Sequence, residues 1–170
     1  MMAILHMREA FAQAAMGDRS ATHRAIGEAH RQFEMTADGL DEPAWAAYFN
    51  EVKLVVDTGI AHGRLGEPAV AEPLVSRGLR EGEAHNRRGR AFHTFWLARI
   101  QLDRGALDQA CDTGAEALEP ASGVESARVQ GHMQEFHAML HPHLKERVVA
   151  DFTSRLRDLL PGAVSGSPHR

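Results

Sequence analysis

The chain has 170 residues, a formal net charge of -4 at pH 7, 44% hydrophobic residues and one cysteine. That length suffices for one domain with a real core. The acidic balance speaks against a nucleic-acid platform, which is ordinarily basic. A lone cysteine excludes an intrachain disulfide and fits a reducing, cytoplasmic setting. No apolar run approaches the roughly 20 residues of a membrane span. His6, Arg8 and Glu9 interrupt the mildly apolar start where a signal peptide needs an unbroken apolar core.

Eight helices are predicted in chain order, paired into four hairpins. The first covers Ala3–Met16 and stops at Gly17-Asp18; Ser20 is the expected N-cap of the second, which runs to Met35. Thr36–Glu42 reads as a loop, and Pro43 suits the first turn of a long third helix ending at Gly66. Pro68 opens the fourth, which closes near Gly82, with Pro73 one turn inside as an expected kink. The fifth covers Asn86–Arg104, and the sixth covers Ala106–Leu118 until Glu119-Pro120 ends it. Gly123–Leu140 is the seventh, and Pro142 starts an eighth running to Leu160. The tail 161–170 (PGAVSGSPHR) reads as a disordered end, leaving residues 1–160 as a single domain. No segment alternates like a strand, so the class is all-α.

Small residues recur at fixed offsets in three of these hairpins. Ala10, Gly17 and Ala29 form one set; Gly59, Gly66, Ala71 and Gly78 the second; Ala98, Gly105, Ala110 and Ala117 the third. Small side chains let paired helices touch around a Gly turn, which predicts stacked helix–turn–helix units. The fourth hairpin, with Gly131, Ala138 and Ala150, has Pro where the others have a turn Gly, as befits a terminal unit.

These offsets resemble the tetratricopeptide repeat, with units spaced by 49 and 39 residues in place of the usual 34 or so. His62 and Gln101 stand where that pattern has an aromatic. A narrower resemblance lies in Trp45–Leu79. Trp45, Tyr48, Phe49, Asn50, Glu51, Gly59, Leu65, Gly66, Pro68, Ala71, Glu72, Pro73 and Leu74 are similar to the C-terminal repeat domain of actinobacterial helix-turn-helix transcriptional regulators. Arg87-Arg88, Leu107–Cys111 and His141-Pro142-His143 extend it. The resemblance implies a right-handed superhelix of three to four hairpins whose first helices line a concave groove. No DNA-reading segment is recognised in this chain, so direct nucleic-acid binding is not expected of it.

Carried onto this chain, the groove comprises Lys53, Val56, Ile60, Gly63 and Arg64; then Phe92, Phe95, Arg99, Leu102 and Asp103; and, in the first unit, Ile4, Met7, Phe11, Ala14 and Ala15. The expected ligand-binding set is Phe49, Lys53, Val56, Ile60, Arg64, Phe92, Phe95 and Arg99. Cations beside an apolar trough suit an extended peptide with a carboxylate or acidic side chain. The plainer reading is that Phe11, Phe92 and Phe95 pack between helices. Trp45, Tyr48 and Phe49 either staple the third helix onto the first two, extend the groove or form a homodimer contact.

Eleven histidines invite a metal hypothesis. His137, His141 and His143, with Glu135 nearby, have partial ligand spacing, but Pro142 interrupts the helix, and surface or turn histidines are the simpler reading. His23 and His30 are expected to face solvent. Cys111 is expected to be a small buried hydrophobe, and the Arg87, Arg88, Arg90 cluster a salt-bridging surface. The expected function is non-catalytic recognition: a sensor or interaction domain binding a peptide, protein partner or small effector, without metal or cofactor. A stand-alone adaptor and a helical metal-dependent enzyme are the alternatives.

Overall fold

A computed structural model describes residues 2–37, 49–82, 86–122 and 127–160, and among these the chain is helical with no strand. It divides into two compact units, residues 1–82 and 83–170. The first holds α1 (Met2–Ala15), α2 (Arg19–Ala37), α3 (Glu51–Arg64) and α4 (Pro68–Glu81). The second holds α5 (Arg87–Asp103), α6 (Leu107–Ser122), α7 (Ala127–Met139) and α8 (Arg147–Leu159). The expected tail, 161–170, lies outside the described residues.

In the first unit α1 pairs with α2 and α3 with α4, while α1 also lies on α3. In the second α5 pairs with α6, α7 lies on α5, and α8 lies on α6. The three predicted turn glycines all have left-handed backbone, with φ of 75° at Gly17, 70° at Gly66 and 85° at Gly105. Each turn closes with the same two bonds. The glycine amide donates to the carbonyl three residues back, at 3.1, 3.1 and 2.9 Å. The next amide reaches five back, from Asp18 to Gln13, Glu67 to His62 and Ala106 to Gln101, at 3.0, 3.0 and 2.9 Å. This is the Schellman closure, and it satisfies carbonyls a helix end would otherwise leave orphaned.

The small-residue sets sit at the helix contacts. Ala10, Thr22, Ala29, Ala71, Ala98, Ala110 and Ala117 are fully buried. A Cβ on Gly78 would fall 1.8 Å from Cγ2 of Val56, and one on Gly59 2.8 Å from Cγ2 of Val75. Only glycine permits α3 and α4 to approach this closely.

Several boundaries differ from the sequence expectation, each for a local reason. Asp18, not Ser20, caps α2: its Oδ1 accepts the Ala21 amide at 2.9 Å. The third helix starts at Glu51 because Asn50 is extended and its side chain accepts the Lys53 amide at 2.9 Å. Phe49 just before it turns into a core cluster with Met7, Ile26 and Leu54. Phe49 and Leu54 hold the two positions of a hydrophobic staple. Pro43, Trp45 and Tyr48 lie outside the described residues.

Helix α6 continues through Pro120 to Ser122. Burial of Leu118 and Ala121 holds that last turn despite the amide that proline lacks. Pro142 opens only a short 3-10 turn, His141–His143, and α8 begins after extended Glu146. Helices α7 and α8 meet through Phe136 and Phe152, edge to face at 5.3 Å.

Candidate functional site

In the first unit the expected groove residues separate by burial. Val56 and Ile60 are fully buried and Phe49 is 6% exposed. These three belong to the core, which corrects their assignment as ligand contacts: an apolar side chain facing a packed neighbour helix has no surface to offer. Phe49 packs edge to face on Phe33 of α2 at 6.3 Å. Lys53 and Arg64 stay partly exposed, but both are engaged. Lys53 Nζ pairs with the buried carboxylate of Asp57 one turn on, which could not be buried charged without such a partner. The Arg64 guanidinium lies over the Phe11 ring, 5.2 Å from its centroid.

In the second unit, packing of α7 onto α5 decides the outcome. Phe95 is 1% exposed and stacks on His132 of α7 at 4.7 Å. It is therefore core, and its expected role as a ligand contact is corrected likewise. Phe92 is half-buried, 5.2 Å from the same imidazole and covered on one face by Arg128 at 4.8 Å. Arg99 pairs with Glu135 of α7 and lies over Trp96 at 5.1 Å. Phe92, Phe95 and Trp96 thus surround His132. Of the eight expected ligand-binding residues, Lys53, Arg64, Phe92 and Arg99 keep accessible surface.

A cluster that the sequence reading did not assemble lies where α2 meets the α3–α4 turn. His23, on α2, places Nε2 3.1 Å from Oε2 of Glu67. His62, at the end of α3, brings Nδ1 to the same oxygen. Arg19, one turn before His23, pairs with the other oxygen, Oε1, and reaches the Leu65 carbonyl at 3.4 Å. The two imidazoles lie 5.2 Å apart. An ionised carboxylate only accepts, so both ring nitrogens carry their protons toward Glu67. Burial, then the charges of His23 and Arg19, hold the His62 pKa below its ordinary value of 6.5.

His23 is thus engaged with Glu67, and His30 donates to or accepts from Oγ1 of Thr58 on α3 at 2.9 Å. His23 is exposed, as expected, while also reaching Glu67; His30 is half-buried, which corrects the expectation that it faces solvent. A shallow groove of about 510 Å³ opens beside His23 between α1 and α2, lined by His6, Glu9, Gln13 and Arg24 among others.

The other histidine cluster is arranged differently. His137 and His141 are perpendicular at 5.9 Å, and burial followed by the His141 and Arg157 charges lowers the His137 pKa. Glu135 turns to Arg99 and His132 instead. Cys111 is buried, and burial with Asp108 and Asp112 pushes its thiol up to about 11.

One signal for the His23–His62–Glu67 cluster did exist in the sequence. His62 occupies a position where the repeat pattern has an aromatic, and Glu67 directly follows the turn glycine. The partner from α2 is 44 residues away from Glu67, and only tertiary packing brings it there. Comparison of the chain with protein-family models, curated proteins and solved structures finds no match.

Proposed function

We propose that this chain is a non-catalytic recognition domain of tetratricopeptide-like hairpins, serving as the sensor or interaction part of a transcriptional-regulator-type protein in the cytoplasm. One observation supports the reading most. Three hairpins repeat the same glycine closure and the same buried small residues, while the side chains outside that frame differ from hairpin to hairpin. A repeated frame with varied outward residues is how helical arrays present binding surfaces. The partner is an acidic peptide or protein segment, or a small anionic effector. It would contact Lys53 and Arg64 on the first unit, exchanging their internal pairings for its carboxylates; the second unit carries Phe92 and Arg99 as a surface of its own.

The test compares the wild-type chain with Arg64→Ala and Arg99→Ala as bait in native-cell extract, read by quantitative mass spectrometry, with circular dichroism verifying the fold. A partner enriched by wild type and lost from a folded variant supports the reading. Equal recovery by wild type and both variants overturns it.

A further inference from the structure

We propose that His23, His62 and Glu67 form a site for one divalent transition-metal ion of the zinc class. One ligand atom from each residue lies within 4.8 Å of the other two. Two imidazoles and one carboxylate are the donors that zinc accepts. In a tetrahedron with bonds of about 2.0 Å, neighbouring ligand atoms are about 3.3 Å apart. His23 Nε2 and Glu67 Oε2 already stand 3.1 Å apart. The His62–Glu67 contact, now a hydrogen bond, opens to the same spacing when the ion enters.

The surroundings prepare these residues for that role. Arg19 holds Oε1 of Glu67, so Oε2 alone is directed between the two rings, as an outer partner orients a ligating carboxylate. The Gly66 turn fixes Glu67 against His62, because the Glu67 amide donates to the His62 carbonyl at 3.0 Å. The His62 ring is 15% exposed and Glu67 13%, whereas His23 is 44% exposed, so the site is walled on the α3 side and open on the α2 side. A neutral imidazole supplies its lone pair by moving its proton to the other ring nitrogen. Three protein ligands leave one tetrahedral position for water.

The ion would tie α2 of the first hairpin to α3 and α4 of the second. It would replace a hydrogen-bonded contact with metal bonds that exist only in the folded chain, and so it would stabilise that state. This inference is independent of the recognition reading and concerns a different set of residues.

The experiment uses the full chain dialysed against chelator, then titrated with zinc chloride by calorimetry and with cobalt(II) by visible absorption. One equivalent should bind, with a tetrahedral cobalt spectrum and a raised thermal midpoint. His62→Ala and Glu67→Gln should each weaken binding by more than about 100-fold, beyond what loss of an outer partner costs. Glu67→Gln keeps the size and the acceptor oxygen, so it tests ligation even if His62→Ala fails to fold. His137→Ala should bind like wild type. Absence of stoichiometric binding overturns the proposal, as does binding unaffected by Glu67→Gln or abolished by His137→Ala.

Discussion

His62 and Glu67 are joined twice: the Glu67 amide donates to the His62 carbonyl at 3.0 Å, and the Glu67 carboxylate returns to Nδ1 of the same residue. The first bond belongs to the turn that closes the α3–α4 hairpin, and the second to the cluster with His23 and Arg19. One local closure therefore makes the hairpin and aims its acidic side chain. At Gly17 the same geometry joins Asp18 to Gln13, and at Gly105 it joins Ala106 to Gln101. Neither of those pairs a carboxylate with an imidazole.

The lowered pKa of His62 makes stability depend on pH. Burial, His23 and Arg19 depress it, so at mildly acid pH the unfolded chain binds more protons than the folded one. Stability contributed by this group is full above the unfolded histidine value of about 6.5 and is lost as pH falls through the folded value. His137 acts in the same direction. Urea denaturation from about pH 5 to about pH 8 should show a midpoint that rises with pH. In His62→Gln the rise should be shallower; an unchanged slope would contradict the assignment.

The glycines of the helix contacts and those on open faces should respond oppositely to a methyl group. In Gly78→Ala the new Cβ would meet Cγ2 of Val56 at 1.8 Å. Overpacking of that kind costs about 1–3 kcal/mol, which exceeds the gain of about 1 kcal/mol from helix propensity. In Gly131→Ala, on the exposed face of α7, nothing lies within 4 Å, and the propensity gain of up to about 1 kcal/mol should appear undiminished. Denaturant midpoints of the two variants should fall on opposite sides of wild type.

Cys111 should be inert in the folded chain. Its thiol is buried and pushed up to about 11, so at neutral pH almost none of it is the reactive thiolate. Alkylation followed by intact-mass measurement should be slow in buffer and complete in denaturant. Rapid labelling of the native protein would show that α6 opens.

The hairpins were legible because their determinants are local. Gly17, Gly66 and Gly105 announce turns whose backbone only glycine adopts easily, and the alanines at matching offsets mark the contacts. Boundaries were less legible where a cap competes with a proline. Asn50 sets the start of α3, and packing of Ala121 carries α6 past Pro120. The expected groove was half legible. Its positions were placed by resemblance, and Val56, Ile60 and Phe95 prove to be fillers of helix interfaces. Distinguishing an apolar groove wall from core requires knowing what lies opposite, such as α7 over Phe95. The His23–His62–Glu67 cluster was legible only in part: His62 and Glu67 flank the Gly66 turn, but His23 comes from the other hairpin, and no spacing rule links it to them.

The paired turns also bear on how quickly the chain folds. Helices α1 and α2, α3 and α4, and α5 and α6 each meet their immediate neighbour across a three-residue connection. Little loop-closure entropy opposes such contacts, and chains rich in local contacts fold in microseconds to milliseconds. Each of these hairpins can assemble soon after its second helix leaves the ribosome, without waiting for the rest of the chain.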